Sequence, residues 1–229
     1  MKRYYNVLVL FLISNLSYSQ KFEFAIIQDK DGFSNVRKTP EIKSKIVGTI
    51  KNKDLIFVFD NEDNSDWFNI ESNNVSGFIH KSRIKQLKTF LEIHPKNQSE
   101  NNIRFKNDFF SIDIFSESFD KSKFKITWEV EGNYIKLING KNFYGTDGTI
   151  PKNGIKSITL KNNDKLISID KNQMRDLFEP NFDNTQVFYD KSTQIIYLTM
   201  HNSDGAGGYS VAWVFEPSKL PKRFVLNTN

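Results

Sequence analysis

Three histidines, His80, His94 and His201, and 27 acidic side chains are the groups here that could carry acid–base or metal chemistry. The chain has no cysteine. That excludes a thiolate nucleophile, thiolate metal ligands, disulfides and lipid attachment through an N-terminal cysteine. The histidines lie far apart and none sits in a His-Glu-x-x-His spacing, so zinc-dependent amide cleavage is not expected. No metal and no cofactor is expected. His201, Ser203 and Asp204 supply the residue types of a hydrolytic triad. Neighbours at one strand end do not converge on one reacting atom, because triads assemble from separate elements. No catalytic residue is therefore assigned. A carboxylate pair for glycoside cleavage stays open, since sequence spacing does not report distance in space.

Two glycine-rich loops, 145–151 and 202–209, are the other candidates for chemistry. Neither leads into a helix, so neither supplies the helix-terminus amides that hold a phosphate. Neither has the alternating carboxylates and distal glutamate of a calcium loop. They read as tight turns between strands. A sharper reading places both on the rim of one pocket. The segment 202–214 resembles only uncharacterised exported Bacteroidetes-type proteins, which implies no activity.

The elements that must position these groups are mainly strands. Hydrophobic residues make up 38% and charged residues 26% of the 229, enough apolar side chain to build a core. Phenylalanine, with 21 copies, favours sheets over helices. Strand-like runs cover 109–115, 124–130, 134–138, 155–160, 165–169, 186–189, 195–200, 209–215 and 223–226. One short helix is expected after Asp170, with Gln173 completing a capping box, Met174, Leu177 and Phe178 on one face, and Pro180 ending it. Asp176 and Glu179 flank it and are read as solvated. Residues 102–229 are thus a mostly antiparallel β domain. The polar segment 89–101, which contains Pro95, reads as a linker.

Earlier in the chain, Asp31-Gly32-Phe33-Ser34-Asn35-Val36-Arg37-Lys38-Thr39-Pro40 is followed by Ile46-Val47-Gly48-Thr49-Ile50, Trp67-Phe68-Asn69-Ile70 and Gly77-Phe78-Ile79-His80. This order of landmarks resembles the bacterial SH3 (SH3b) family and implies a small SH3-like barrel over 22–88. Ser34 and Phe78 depart from the family pattern, which favours an apolar residue at the first and Trp or Tyr at the second. Gly32, Asn35, Arg37, Pro40, Gly48 and Gly77 carry the structural signature. Gly32 makes the bend, Arg37 ties loops through its fork of donors, and Pro40 turns the chain out. Val36, Ile46, Val47, Ile50, Ile56, Val58, Ile70 and Ile79 are the expected core. Phe33, Trp67 and Phe78 are the candidate ligand-contact aromatics, because such barrels take peptides in shallow aromatic grooves.

The first residues read as an address. Lys2 and Arg3 precede the apolar run 7–13, and Ser17 and Ser19 suit a cleavage site before Gln20. Residues 1–19 are the expected signal peptide, leaving a periplasmic or secreted protein with no transmembrane segment. Loss of Lys2 and Arg3 lowers the formal charge from +5 to +3. The basic residues alternate with acidic ones, so nucleic acid is not an expected partner. The expected function is a non-catalytic cell-envelope binding protein whose barrel takes a peptide, a peptidoglycan fragment or an envelope protein. The alternatives are an envelope hydrolase with its site in the C-terminal domain, and an inhibitor or immunity-type protein that binds another protein.

Overall fold

The computed structural model describes residues 22–59, 66–72, 75–129, 133–162, 165–203 and 205–227. The expected signal peptide lies outside them. Among the described residues, no helix is long and apolar enough to cross a membrane. The chain is mainly β and its sheets are antiparallel.

The described residues begin with the strands β1 (Phe22–Ile27), β2 (Phe33–Arg37), β3 (Ile46–Lys51), β4 (Leu55–Phe59), β5 (Trp67–Glu71), β6 (Ser76–His80) and β7 (Ile84–Gln86). They hydrogen-bond in the order β3-β2-β6-β5-β4-β1-β7. Gly32, at φ +80°, supplies the bend between β1 and β2. Gly77 sits at φ +150°, and a Cβ there would lie 2.5 Å from the Arg37 carbonyl oxygen. Only glycine lets β6 cross β2 this closely.

Period-two alternation divides the barrel's apolar residues between two cores. Ala25, Ile27, Val36, Ile50, Ile56, Val58, Ile70 and Ile79 fill the interior. Phe24, Ile26, Leu55 and Phe57 point the other way, into a second buried cluster. The expected core residues Ile46 and Val47 are instead 47% and 43% exposed. β3 is an edge strand, and a register shift opposite Val36 and Arg37 turns its first residues outward.

Among the described residues these are followed by β8 (Leu91–Ile93), β9 (Pro95–Ser99), β10 (Asn102–Lys106), β11 (Phe110–Ser118), β12 (Ile126–Trp128), β13 (Ile135–Ile138), β14 (Asn153–Asn162), β15 (Lys165–Ser168), β16 (Thr185–Asp190), β17 (Ile195–Asn202), β18 (Tyr209–Phe215) and β19 (Lys222–Asn227). An outer sheet has the order β15-β14-β11-β10-β9 and a middle sheet the order β19-β18-β17-β16-β8. β12 and β13 pair as a separate ribbon.

The segment expected as a linker is therefore strand: β8 pairs with β16 and β9 with β10. Its polar sequence fits an edge. Every residue of β9 is exposed, and Pro95 takes the first position, where a missing N–H is tolerated. The expected short helix is a single 3-10 turn, Lys171–Gln173. The Asp170 carboxylate accepts the Asn172 amide at 2.7 Å, as an N-cap would. The chain then leaves helical geometry because Met174 and Leu177 belong to one core and Phe178 to another. Leu177 and Phe178 make bridge pairings with Tyr144 and Gly154 instead.

The middle sheet is covered on both faces. Ile196, Leu198, Met200, Val211 and Trp213 meet the outer sheet through Ile112, Ile114 and Ile158. Tyr197, Ala212, Val214, Phe188 and Leu226 meet Phe24, Ile26, Leu55 and Phe57 of the barrel. All seven residues of β18 are buried. Two-sided burial explains why its sequence is a near-continuous apolar run rather than an alternating one.

A polar pair lies on that barrel-facing side. His201 Nδ1 is 2.7 Å from Ser210 Oγ, and the imidazole ring is 5.6 Å from the Phe24 ring. Burial lowers the His201 pKa below its ordinary 6.5. The unfolded chain thus takes up this proton first, so the neutral ring's contribution is complete above pH 6.5. It is lost as pH falls from there through the folded-state value. The melting temperature should fall between pH 7.5 and pH 5, above the carboxylate range, and His201→Gln should flatten that segment of the profile. An unchanged slope in the variant would assign the proton uptake elsewhere.

Candidate functional site

The candidate site is a groove of about 320 Å³ on the barrel. Phe33 stands on β2 and Trp67 begins β5, and both line it. His80 pairs with Trp67 across β5 and β6, their rings edge-to-face with centroids 5.4 Å apart. Its Nδ1 lies 2.8 Å from Ser82 Oγ and accepts the Ser82 amide at 3.3 Å, capping the 3-10 turn Lys81–Arg83. As an acceptor from that amide, Nδ1 is unprotonated in the neutral ring and the proton sits on Nε2. Ile42 adds an apolar contact at the far side.

The other wall is charged. Asp29, with its side chain only 5% exposed, is paired with Arg83. Burial would raise its pKa, but the Asp31 amide, the Arg83 charge and a hydrogen bond from Ser34 outweigh that and hold it below the ordinary carboxylate value. Ser34, polar where the family favours an apolar residue, is buried behind this wall. Asp31 and Arg37 also line the groove. Arg37 Nη1 donates to the Ser44 carbonyl at 2.8 Å, and Thr39 Oγ1 is 2.7 Å from Ser44 Oγ. Arg37 thus braces the single loop that carries Pro40 and Ile42.

Of the three expected contact aromatics, the groove brings together Phe33 and Trp67. Phe78 pairs with Arg37 and Asn69 and does not line it. His80, Ile42, Asp29 and Arg83 are groove residues that the sequence did not assign to ligand contact. Alternation in β6 carried a signal for one of them, since Ile79 inward requires His80 outward. The signature residues lie around the site. Asn35 lines it, and Gly32 and Pro40 shape adjoining turns. Gly48 admits the Val75 side chain, which would come within 2.7 Å of a Cβ there.

Among the described residues, the serine of the candidate triad is not the one beside His201. Ser203 is exposed, Asp204 lies outside the described residues, and the hydroxyl beside His201 belongs to Ser210, which is 1% exposed. The two glycine-rich loops do converge, backbone on backbone. The Gly145 amide donates to the Gly207 carbonyl at 3.1 Å, and a Cβ on Gly207 would lie 2.8 Å from Thr146. Asp176 and Glu179 are not solvated carboxylates. Asp176 takes a two-pronged hydrogen bond from Arg223 at 2.6 and 2.9 Å, and Glu179 accepts the Lys152 and Asn153 amides. Among the described residues, no group of three or more His, Asp or Glu is placed to hold a metal.

No curated protein and no solved structure matches the chain. Residues 32–85 match the family model of the bacterial SH3 domain. The match begins at the Gly32 bend, ends beside the Lys81–Arg83 turn, and contains Phe33, Trp67, His80 and Arg83. Such a domain is a binding module, commonly associated with cell walls. The N-terminal barrel of this chain is thus similar to a bacterial SH3 domain over residues 32–85.

Proposed function

We propose that the protein is a non-catalytic binding protein of the cell envelope, exported by its N-terminal segment. In this reading the Phe33–Trp67 groove takes a short peptide, such as the stem of a peptidoglycan fragment. The juxtaposition of Phe33, Trp67 and His80 with charges of both signs in one groove carries the reading. The rings offer flat apolar walls at little entropic cost, suited to an extended backbone. Asp31 supplies a carboxylate for an amine, while Arg37 and Arg83 supply guanidinium groups for a carboxylate. A short zwitterionic peptide carries both groups.

Titration of the intact chain with soluble muropeptides, followed by calorimetry, tests this. Trp67→Ala should weaken binding by roughly tenfold or more, as loss of a central aromatic anchor does. Circular dichroism would confirm that the barrel persists. Full affinity in that variant would remove the groove from consideration, and capture of a wall-independent envelope protein would favour the inhibitor reading.

A further inference from the structure

A concavity larger than the barrel groove lies outside the barrel. A cleft of about 880 Å³ opens in the C-terminal half. It lies between the end of β11, the start of β14, the turn after β13, and the segment 171–178. Phe119, Phe124 and Phe178 line its apolar side, with Phe119 and Phe124 stacked at 4.6 Å and Phe119 edge-on to Phe178 at 5.3 Å. Ile138, Met174 and Leu177 complete that side, and the last two are anchored in the main core.

Its polar side is mostly cationic. Lys123 is paired with Asp120 and Arg223 with Asp176. Lys141, Lys156, Lys171 and Arg175 also line the cleft, and none has an ion-pair partner among the described residues. Glu117 is the remaining acid. Several like charges gathered around one concavity repel each other and raise the local concentration of anions.

The frame is fixed in advance. The Phe178 amide donates to the Tyr144 carbonyl at 3.0 Å, and the Phe178 carbonyl accepts the buried Tyr209 hydroxyl at 2.9 Å. The Arg223 fork ties Asp176 to β19 and also reaches the Gln173 carbonyl at 2.9 Å. A volume in the range of small-molecule sites, an aromatic side and a cationic side on a rigid frame define the complementary ligand.

We propose that this cleft binds a small amphiphilic anion, a carboxylate or phosphate head on an apolar body. The head meets Lys156, Lys171 and Arg175, and the body lies against Phe119, Phe124 and Phe178. The proposal is independent of the barrel groove.

Calorimetric titration of the full chain with octanoate, octyl phosphate and octanol tests it at low and moderate salt. Saturable binding of either anion, weakened by salt, is expected, and the tighter of the two identifies the head. Octanol should bind far more weakly. Charge reversal at two exposed positions, Lys156→Glu with Lys171→Glu, should weaken the anion by roughly tenfold or more. Trp67→Ala should leave it unchanged, which separates this site from the groove. Equal binding of octanol and octanoate, no saturable binding of either anion at millimolar concentration, or unchanged affinity in the charge-reversed chain would each overturn the proposal.

Discussion

Gly145→Ala will destabilise the protein by about 4 kcal/mol, a strained backbone and an overpacked contact each contributing one to three. That is a large share of the stability of an ordinary domain, typically about 5–15 kcal/mol. Gly145 sits at φ +111°, a conformation that L residues rarely adopt. A Cβ there would lie 2.3 Å from the carbonyl oxygen of Phe178 and 2.6 Å from its carbon. Those atoms are backbone, so no side-chain rotation relieves the overlap. The same carbonyl accepts the Tyr209 hydroxyl, and the Gly145 amide holds the loop that carries Gly207. The methyl group therefore displaces two connections as well as straining one residue. Gly32→Ala is the matched control. It has φ +80° but nothing within 4 Å of its Cβ, so only the conformational cost of about 1–2 kcal/mol applies. Urea unfolding of both variants measures the difference. Equal stabilities would mean that the 145 loop simply moves aside.

Removal of residues 22–88 will leave a C-terminal fragment that self-associates rather than a soluble monomer. The barrel covers Phe188, Ile195, Tyr197, Val214 and Leu226 of the middle sheet, all buried in the intact chain. Uncovered together, they form a contiguous apolar face of the kind that monomeric proteins seldom expose. The barrel's own Phe24, Ile26, Leu55 and Phe57 are buried only because that sheet lies against them. A shared core of this sort makes the two halves unfold together, so calorimetry of the intact chain should show one transition with matching calorimetric and van't Hoff enthalpies. A monomeric fragment that melts at the temperature of the whole protein would contradict this.

Much of the barrel was legible because its turns are chemically specific. Gly32 needs a positive φ, Arg37 needs a donor that reaches the Ser44 carbonyl and Pro40 needs a break, and each leaves its mark in residue type, although Arg37 ties one loop and not the several that its fork suggested. Strands β16, β17 and β18 were legible as apolar runs, but an apolar run does not say what covers its second face. That is why the packing of the barrel on the middle sheet was not foreseen. The 89–101 segment was misread because an exposed edge strand and a linker share the same polar composition. The helix after Asp170 shrank to one turn because a cap signal starts both kinds of turn, while the destinations of Met174 and Phe178 are set by distant strands. Phe33 and Trp67 were readable as groove aromatics from the family's landmarks. His80 joins them through its pairing with Trp67, Ile42 through the loop that Arg37 braces, and Arg83 through the 3-10 turn that His80 caps. The cationic cleft was not legible, since its lysines come from separate segments that only the fold gathers.

The two-sided covering of the middle sheet also sets where this protein is free to change. At an ordinary half-buried strand, every second position tolerates exchange of one polar residue for another. β18 offers no such position, because each side chain along it presses on one neighbour layer or the other. Drift in sequence is thereby pushed outward, to β9, to the solvent side of β15, and to the loops that rim the groove. The scaffold can hold still while the surfaces that meet other molecules diverge.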